Sequence, residues 1–241
     1  MVLIKICGIT NKADAKIAYE SGADIAGFVF YEKSPRKIDL NNALDIINSV
    51  SHLAFAGVFV NDDIDKVVKI AKKLNLNYLQ FSGEESLDYL SQIKEKIKGI
   101  KRDLNLQSSI NEGAVKSKKN ITNIKIIKSI KIKDSFNFEA KKKLLNEIEI
   151  YASVVDFILL DSYSGKLYGG TGKTFNWELF KNIGKKFSVI ISGGLDSFNV
   201  NDAISIVQPF GVDASSKLEE YPGKKDTKKV KEFINVIRKS Y

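Results

Sequence analysis

The chain has one cysteine and one histidine in 241 residues. One cysteine closes no intramolecular disulfide, and one Cys with one His cannot complete a Cys/His zinc set. His52 stands ahead of a predicted strand, where a solvated or capping role suits it better than chemistry. An acid/base enzyme built from this sequence would therefore rely on Cys, Asp, Glu, Lys or Tyr. Proline is scarce as well, with three residues. No Pro/Ser-rich linker divides the chain, so one domain over 1–241 is expected. No apolar run approaches the roughly 18 residues of a membrane span. The start, Met1-Val2-Leu3-Ile4-Lys5-Ile6-Cys7, has no basic segment ahead of a long apolar one, as a secretion signal would. The expectation is a soluble cytoplasmic protein with no membrane partner.

Hydrophobic residues make up 44% of the chain, enough for one sizeable core. The net charge of +9 raises the question of nucleic acid. The lysines, however, are spread along predicted helices and connections, as on a solvated surface. Short runs rich in Ile, Val, Leu and Phe predict strands over 3–7, 25–30, 55–60, 78–81, 124–130, 157–160, 188–191 and 210–213. Amphipathic stretches between and after them predict helices over 11–21, 41–51, 63–74, 84–98, 135–151, 177–182, 197–207 and 225–239. Eight alternating βα units describe a single (β/α)8 barrel. An open doubly wound sheet usually carries a glycine-rich phosphate loop after its first strand; here that turn reads Cys7-Gly8-Ile9-Thr10. One polar stretch, 101–120, breaks the rhythm between helix four and strand five. As an αβ connection it belongs on the N-terminal face, away from a barrel's chemistry.

A barrel's βα loops build its site, so strand ends deserve the closest reading. Side chains alternate along a strand, which puts Lys5 and Cys7 on one face and Ile4 and Ile6 on the helix side. Cys7 is either a base or nucleophile at the mouth or a small buried residue. Asp161 follows four apolar residues and enters a loop; a cap, an ion pair or an acid/base role would each account for it. After it comes a long glycine-bearing stretch through Tyr168-Gly169-Gly170-Thr171-Gly172-Lys173, suited to a lid or to close backbone approach. Ser192-Gly193-Gly194 and Asp213-Ala214-Ser215-Ser216 are tight turns or, where barrels commonly hold phosphate, an anion site of amides and hydroxyls. Arg36, stiffened by Pro35, is a surface arginine or a two-bond grip on a carboxylate.

Taken in order, these segments resemble the phosphoribosylanthranilate isomerase family. The resemblance rests on Lys5-Ile6-Cys7-Gly8-Ile9-Thr10, Ser34-Pro35-Arg36, Gly57-Val58-Phe59-Val60-Asn61, Leu160-Asp161 and Tyr168 to Trp177. It continues through Ser192-Gly193-Gly194-Leu195, Asp213-Ala214-Ser215-Ser216 and Tyr221-Pro222-Gly223-Lys224-Lys225-Asp226, over nearly the whole chain outside 101–120. The resemblance implies a cofactor-free, metal-free Amadori rearrangement of a phosphorylated small molecule in tryptophan biosynthesis, by a monomer or a homodimer. It makes Cys7 the general base, Asp161 the general acid and Arg36 the holder of the anthranilate carboxylate. It gives the phosphate to Gly193, Gly194, Ser215 and Ser216, with Asp213 beside them. Such an Asp161 would start protonated, helped by partial burial, and such a Cys7 would need its thiolate stabilised. Two positions depart from the family pattern: Ser82 stands where the family has His, and Lys217 where it has Gly. A rival barrel enzyme, indole-glycerol-phosphate synthase, would want lysines at strand ends, for which Lys5 and Lys128 are available. A nucleic-acid binder would want aromatics interleaved with a basic stripe, and the sequence has no such stripe.

Overall fold

The computed structural model describes residues 1–50, 52–98, 100, 123–132, 138–162 and 174–241. Strand and helix alternate through β1 (Leu3–Cys7), α1 (Lys12–Ser21), β2 (Ile25–Val29), α2 (Leu40–Ser49), β3 (Ala54–Phe59), α3 (Ile64–Lys73) and β4 (Tyr78–Phe81). The order continues with α4 (Leu87–Ile97), β5 (Lys125–Ile132), α5 (Phe138–Ala152), β6 (Phe157–Ser162), β7 (Val189–Ile191), α6 (Val200–Val207) and β8 (Gly211–Ala214). A two-stranded hairpin, β9 (Glu219–Tyr221) and β10 (Lys224–Lys225), precedes α7 (Thr227–Ser240). The first eight strands are parallel and close in sequence order, because β1 pairs with both β2 and β8. This is the (β/α)8 barrel the sequence predicts. The polar stretch 101–120 and the glycine-bearing loop 163–173 lie outside the described residues. No helix among the described residues is long and apolar enough to cross a membrane.

Two hydrophobic layers follow from strand alternation. Ile25, Ala56, Tyr78, Ile127, Leu159 and Ile190 fill the barrel interior. The alternate residues, among them Ile4, Ile6, Phe28, Phe55 and Leu160, pack outward under the helices. Helix starts are fixed locally: the side chains of Asn11, Asp39, Asp63, Ser86 and Asp226 each accept from backbone N–H groups of the first turn. On the N-terminal face, polar residues just ahead of β2, β4 and β6 reach the preceding strand. Asp24 accepts from Ile4 N at 2.8 Å, Asn77 from Phe55 N at 2.8 Å and Asp156 from Ile126 N at 2.9 Å. These bonds satisfy strand amides where each pair begins, and so serve stability on the face away from the mouth.

Several predicted elements change. The helix expected over 177–182 is instead a pair of 3-10 turns, Trp177–Phe180 and Ile183–Lys185. Asn182 between them is left-handed, with φ of 60°, which stops the first turn before an α-helical ladder can develop. A Cβ at Gly184 would come within 1.8 Å of Gln208 O, so the second turn is pressed against the end of α6. β6 runs to Ser162 rather than ending at 160, which puts Asp161 within the strand, and β5 runs to Ile132 rather than ending at 130. That extension brings a further inward residue, Lys131, to the mouth.

Candidate active site

The C-terminal ends of the strands enclose one pocket. Cys7 lines it from β1, Gln80 from β4, Lys131 from β5, Asp161 from β6 and Asp213 from β8. Ser192, Gly193 and Gly194 close the β7 side, and Ser215, Ser216 and Lys217 the β8 side. The structure thus brings together every site residue expected from the sequence except Arg36, and it includes Ser82 at the rim.

Beneath Cys7 lies a buried ion pair. Lys5 Nζ donates to Asp213 Oδ1 at 2.7 Å, and Ser192 Oγ donates to Asp213 Oδ2 at 3.1 Å. Asp213 is therefore committed to Lys5 and Ser192, a support under the site more than an open contact. Burial would lower Lys5, but Asp213 and then Cys7 outweigh it and hold the ammonium above its ordinary range. Burial pushes the Cys7 thiol up, with Lys5 opposing that rise. Gly27 on β2 makes room for both: a Cβ there would meet Cys7 Sγ at 2.9 Å and Lys5 Nζ at 3.2 Å.

Asp161 has a partner that the sequence reading missed. Lys131 is its register neighbour across β5 and β6, and Lys131 Nζ donates to Asp161 Oδ2 at 2.7 Å. Because residues two apart share a face, Ile127, Ser129 and Lys131 point inward together. Strand alternation could have found Lys131 had the strand been extended past 130.

The turn after β7 presents backbone to the pocket. Gly193 and Gly194 both have positive φ, 90° and 66°, a succession that turns amides toward a common point. A Cβ at Gly193 would lie 2.2 Å from Ser162 Oγ, so glycine is required by space as well as by conformation. Opposite, Ser215 Oγ donates to Cys7 O at 2.9 Å, which ties the β8 loop to the end of β1. Among the described residues no group of three or more His, Cys, Asp and Glu side chains converges as a metal set would.

Arg36 stands behind the pocket lining, on the loop after β2. Its Nε and Nη2 form a two-toothed pair with Glu219, with Nη2 to Oε2 at 2.7 Å and Nε to Oε1 at 2.8 Å. Among the described residues Glu219 takes the Nε and Nη2 edge of the fork, and the Nη1 and Nη2 edge keeps two donors for another carboxylate. Lys225 reaches the same Glu219 at 2.8 Å. Burial would raise Glu219, yet Arg36 and Lys225 outweigh it and hold the carboxyl below its usual range. Burial pulls Lys225 down against that attraction. Glu219 and Lys225 sit on the hairpin between β8 and α7, which the sequence reading did not anticipate. The signal was there in Pro222-Gly223, a turn dipeptide, with Gly223 at φ of 88°.

The lysines recruited for a synthase are accounted for otherwise. Lys128 faces outward, 2.6 Å from Glu85 Oε2 and 2.7 Å from Gly83 O. Lys5 is sealed under the pocket by Asp213. His52 is exposed ahead of β3, near Tyr19 and far from the strand ends.

Comparison with known proteins agrees with this geometry. A family model described as N-(5'phosphoribosyl)anthranilate (PRA) isomerase matches residues 4–124 and 111–236. The N-(5'-phosphoribosyl)anthranilate isomerase of Rubrobacter xylanophilus is 35% identical over 239 residues, covering 99% of this chain and 100% of that protein. The crystal structure of phosphoribosyl anthranilate isomerase from Thermotoga maritima aligns with a TM-score of 0.78 at 35% identity, covering 99% of this chain and 100% of its own. A structure of such an isomerase in complex with reduced 1-(o-carboxyphenylamino)-1-deoxyribulose 5-phosphate aligns at 0.75 and 33% identity, covering 99% and 100%.

Proposed function

We propose that Cys7 is the general base and Asp161 the general acid of this chain, which belongs to the N-(5'-phosphoribosyl)anthranilate isomerase family. The chain catalyses the Amadori rearrangement of N-(5-phosphoribosyl)anthranilate to 1-(2-carboxyphenylamino)-1-deoxyribulose 5-phosphate, in tryptophan biosynthesis. Opening the furanose breaks the bond from C1 to the ring oxygen, and a proton from Asp161 to that oxygen lets it leave. The nitrogen lone pair becomes a C1–N iminium, which acidifies the C2 proton. The Cys7 thiolate takes that proton, and the resulting enolamine tautomerises to the 2-ketose. Lys5 beneath Cys7, and the iminium when it forms, both favour the thiolate against burial. Backbone amides around Gly193, Gly194, Ser215 and Ser216 receive the phosphate, and Asp213 braces that floor. Arg36, held by Glu219 along one edge, keeps its other edge for the anthranilate carboxylate. A charged metabolite of this kind does not cross membranes unaided, which suits action in the cytoplasm.

The observation that carries this reading is the common pocket shared by Cys7, Asp161 and the Gly193–Gly194 turn. Cys7→Ser and Asp161→Asn should each fold, still bind a reduced product analogue, and lose kcat by about 10²–10⁴-fold, the scale of one positioned proton transfer. The double variant should lose less than the product of the two single losses, since both residues serve one reaction coordinate. Near-full activity in Cys7→Ser would end the thiolate mechanism and make Lys5 the next base to test.

A further inference from the structure

Lys131 and Asp161 stand opposite each other on neighbouring strands, and both line the pocket. Lys131 Nζ donates to Asp161 Oδ2 at 2.7 Å, between side chains 24% and 13% exposed. Beneath Asp161 on the inner face of β6 is Leu159, a core side chain with no donor to offer the carboxyl group. The ammonium thus sets how the carboxyl plane is turned. An open pair of one bond adds little to stability. The sealed Lys5–Asp213 pair, at 0% and 6% exposed, is where breaking a contact costs the fold.

The step assigned to Asp161 gives the ammonium its use. In ring opening the O–H bond of the carboxylic acid breaks and an O–H bond to the ring oxygen forms. The bond from C1 to that oxygen breaks, and the nitrogen lone pair becomes the second C1–N bond. Only one carboxyl oxygen carries the proton. With Oδ2 held by Lys131, that oxygen is Oδ1. As the proton leaves, negative charge forms on the carboxyl group, 2.7 Å from an ammonium already in place. Coulomb attraction makes the bond from an ammonium to a carboxylate stronger than the same bond to a neutral acid. The contact therefore tightens as the proton goes, and an interaction stronger in the transition state than before it speeds the step. Little reorganisation is needed, because the strand ladder sets the place of Lys131 before substrate arrives.

We propose that Lys131 is a positioning residue for the general acid: it assigns the proton to Oδ1 and is the counter-ion of the carboxylate that the transfer leaves. This role rests on Asp161 being that acid. Single-turnover rates test it, taken at each variant's own pH optimum so that the amount of acid form is matched. Lys131→Met should slow the turnover by about 5–30-fold, the difference one charge-assisted bond makes. Lys131→Arg should restore most of the rate, and Lys131→Gln serves if the Met variant does not fold. Affinity for the reduced product analogue, which undergoes no proton transfer, should change by less than about threefold in calorimetry. In an Asp161→Asn background no carboxylate forms, so Lys131→Met should there alter the rate by less than about threefold. An unchanged rate in Lys131→Met overturns the role. So does a loss as large in the Asp161→Asn background as in wild type, or a weakening of analogue binding that matches the loss of rate. A near-wild-type rate in Asp161→Asn alone is a different failure: it sinks the acid reading itself, and the role of Lys131 with it.

Discussion

The Lys5–Asp213 pair makes the fold and the site depend on the same atoms. Lys5 Nζ lies 2.7 Å from Asp213 Oδ1, with the lysine side chain 0% exposed and the aspartate 6%. Lys5→Met keeps the length of the side chain but strands the carboxylate, leaving it one hydroxyl, that of Ser192. Removing one partner of a buried pair costs about 3–5 kcal/mol, because the other charge is left uncompensated. A chain of this size loses roughly 2–4 °C of Tm per kcal/mol, so melting should fall by about 6–20 °C. The double variant Lys5→Met/Asp213→Asn, which no longer strands a charge, should recover most of that loss. Catalysis should suffer separately, since Lys5 is the nearest cation opposing the rise that burial imposes on Cys7. Differential scanning calorimetry gives the first effect, and kcat/KM measured well below the transition gives the second. A urea-derived loss under about 1 kcal/mol, or a double variant no more stable than Lys5→Met, would refute the claim that the stranded charge carries the cost.

Two further outcomes follow from the same pocket. Gly193→Ala should raise KM by about 10–100-fold, the value of one phosphate hydrogen bond, because its Cβ would lie 2.2 Å from Ser162 Oγ in a left-handed backbone; steady-state kinetics with KM unchanged would remove the phosphate from this turn. Because burial raises Cys7, the limb of kcat/KM that needs the thiolate should climb with pH above the ordinary thiol range and vanish in Cys7→Ser. The same proton is kept by the folded chain where the unfolded one releases it, so its contribution to stability is full below the ordinary thiol value and lost as pH rises through the folded value. A limb at or below the ordinary thiol range would contradict the burial argument.

The barrel was legible because each strand is a short apolar run, and strands buried on both faces need little else to be recognised. Cys7, Asp161, Gly193 and Ser215 were legible because they follow those runs directly, and a strand end in a barrel is a position with chemical meaning. Lys131 was not, because the apolar run ends at Ile130 while the hydrogen-bonded ladder continues to Ile132. The partner of Arg36 was not legible either. Glu219 is 183 residues away in sequence, and pairing over that distance is decided by closure of the barrel, which local pattern does not report. The short turn at Trp177–Phe180 was read as helix because its apolar spacing fits one turn of either form. The left-handed Asn182 that ends it is a backbone fact with only a weak residue preference.

The charges at the mouth also bear on how a chain of net charge +9 binds an anionic substrate. Among the described residues around the pocket, Lys5, Lys131, Arg36 and Lys225 meet Asp213, Asp161 and Glu219, and Lys217 also lines it, an excess of two positive charges. The surface lysines that account for most of the net charge are solvated and screened beyond about 8–10 Å at ordinary ionic strength. In the proposed placement the phosphate meets amides of the Gly193–Gly194 turn, dipoles that are oriented before it arrives, with Lys217 on the same side of the pocket. Pairing the cations keeps the empty mouth from holding arbitrary anions tightly. Of the four paired contacts, that of Lys131 is the most exposed, and its partner is the proposed general acid.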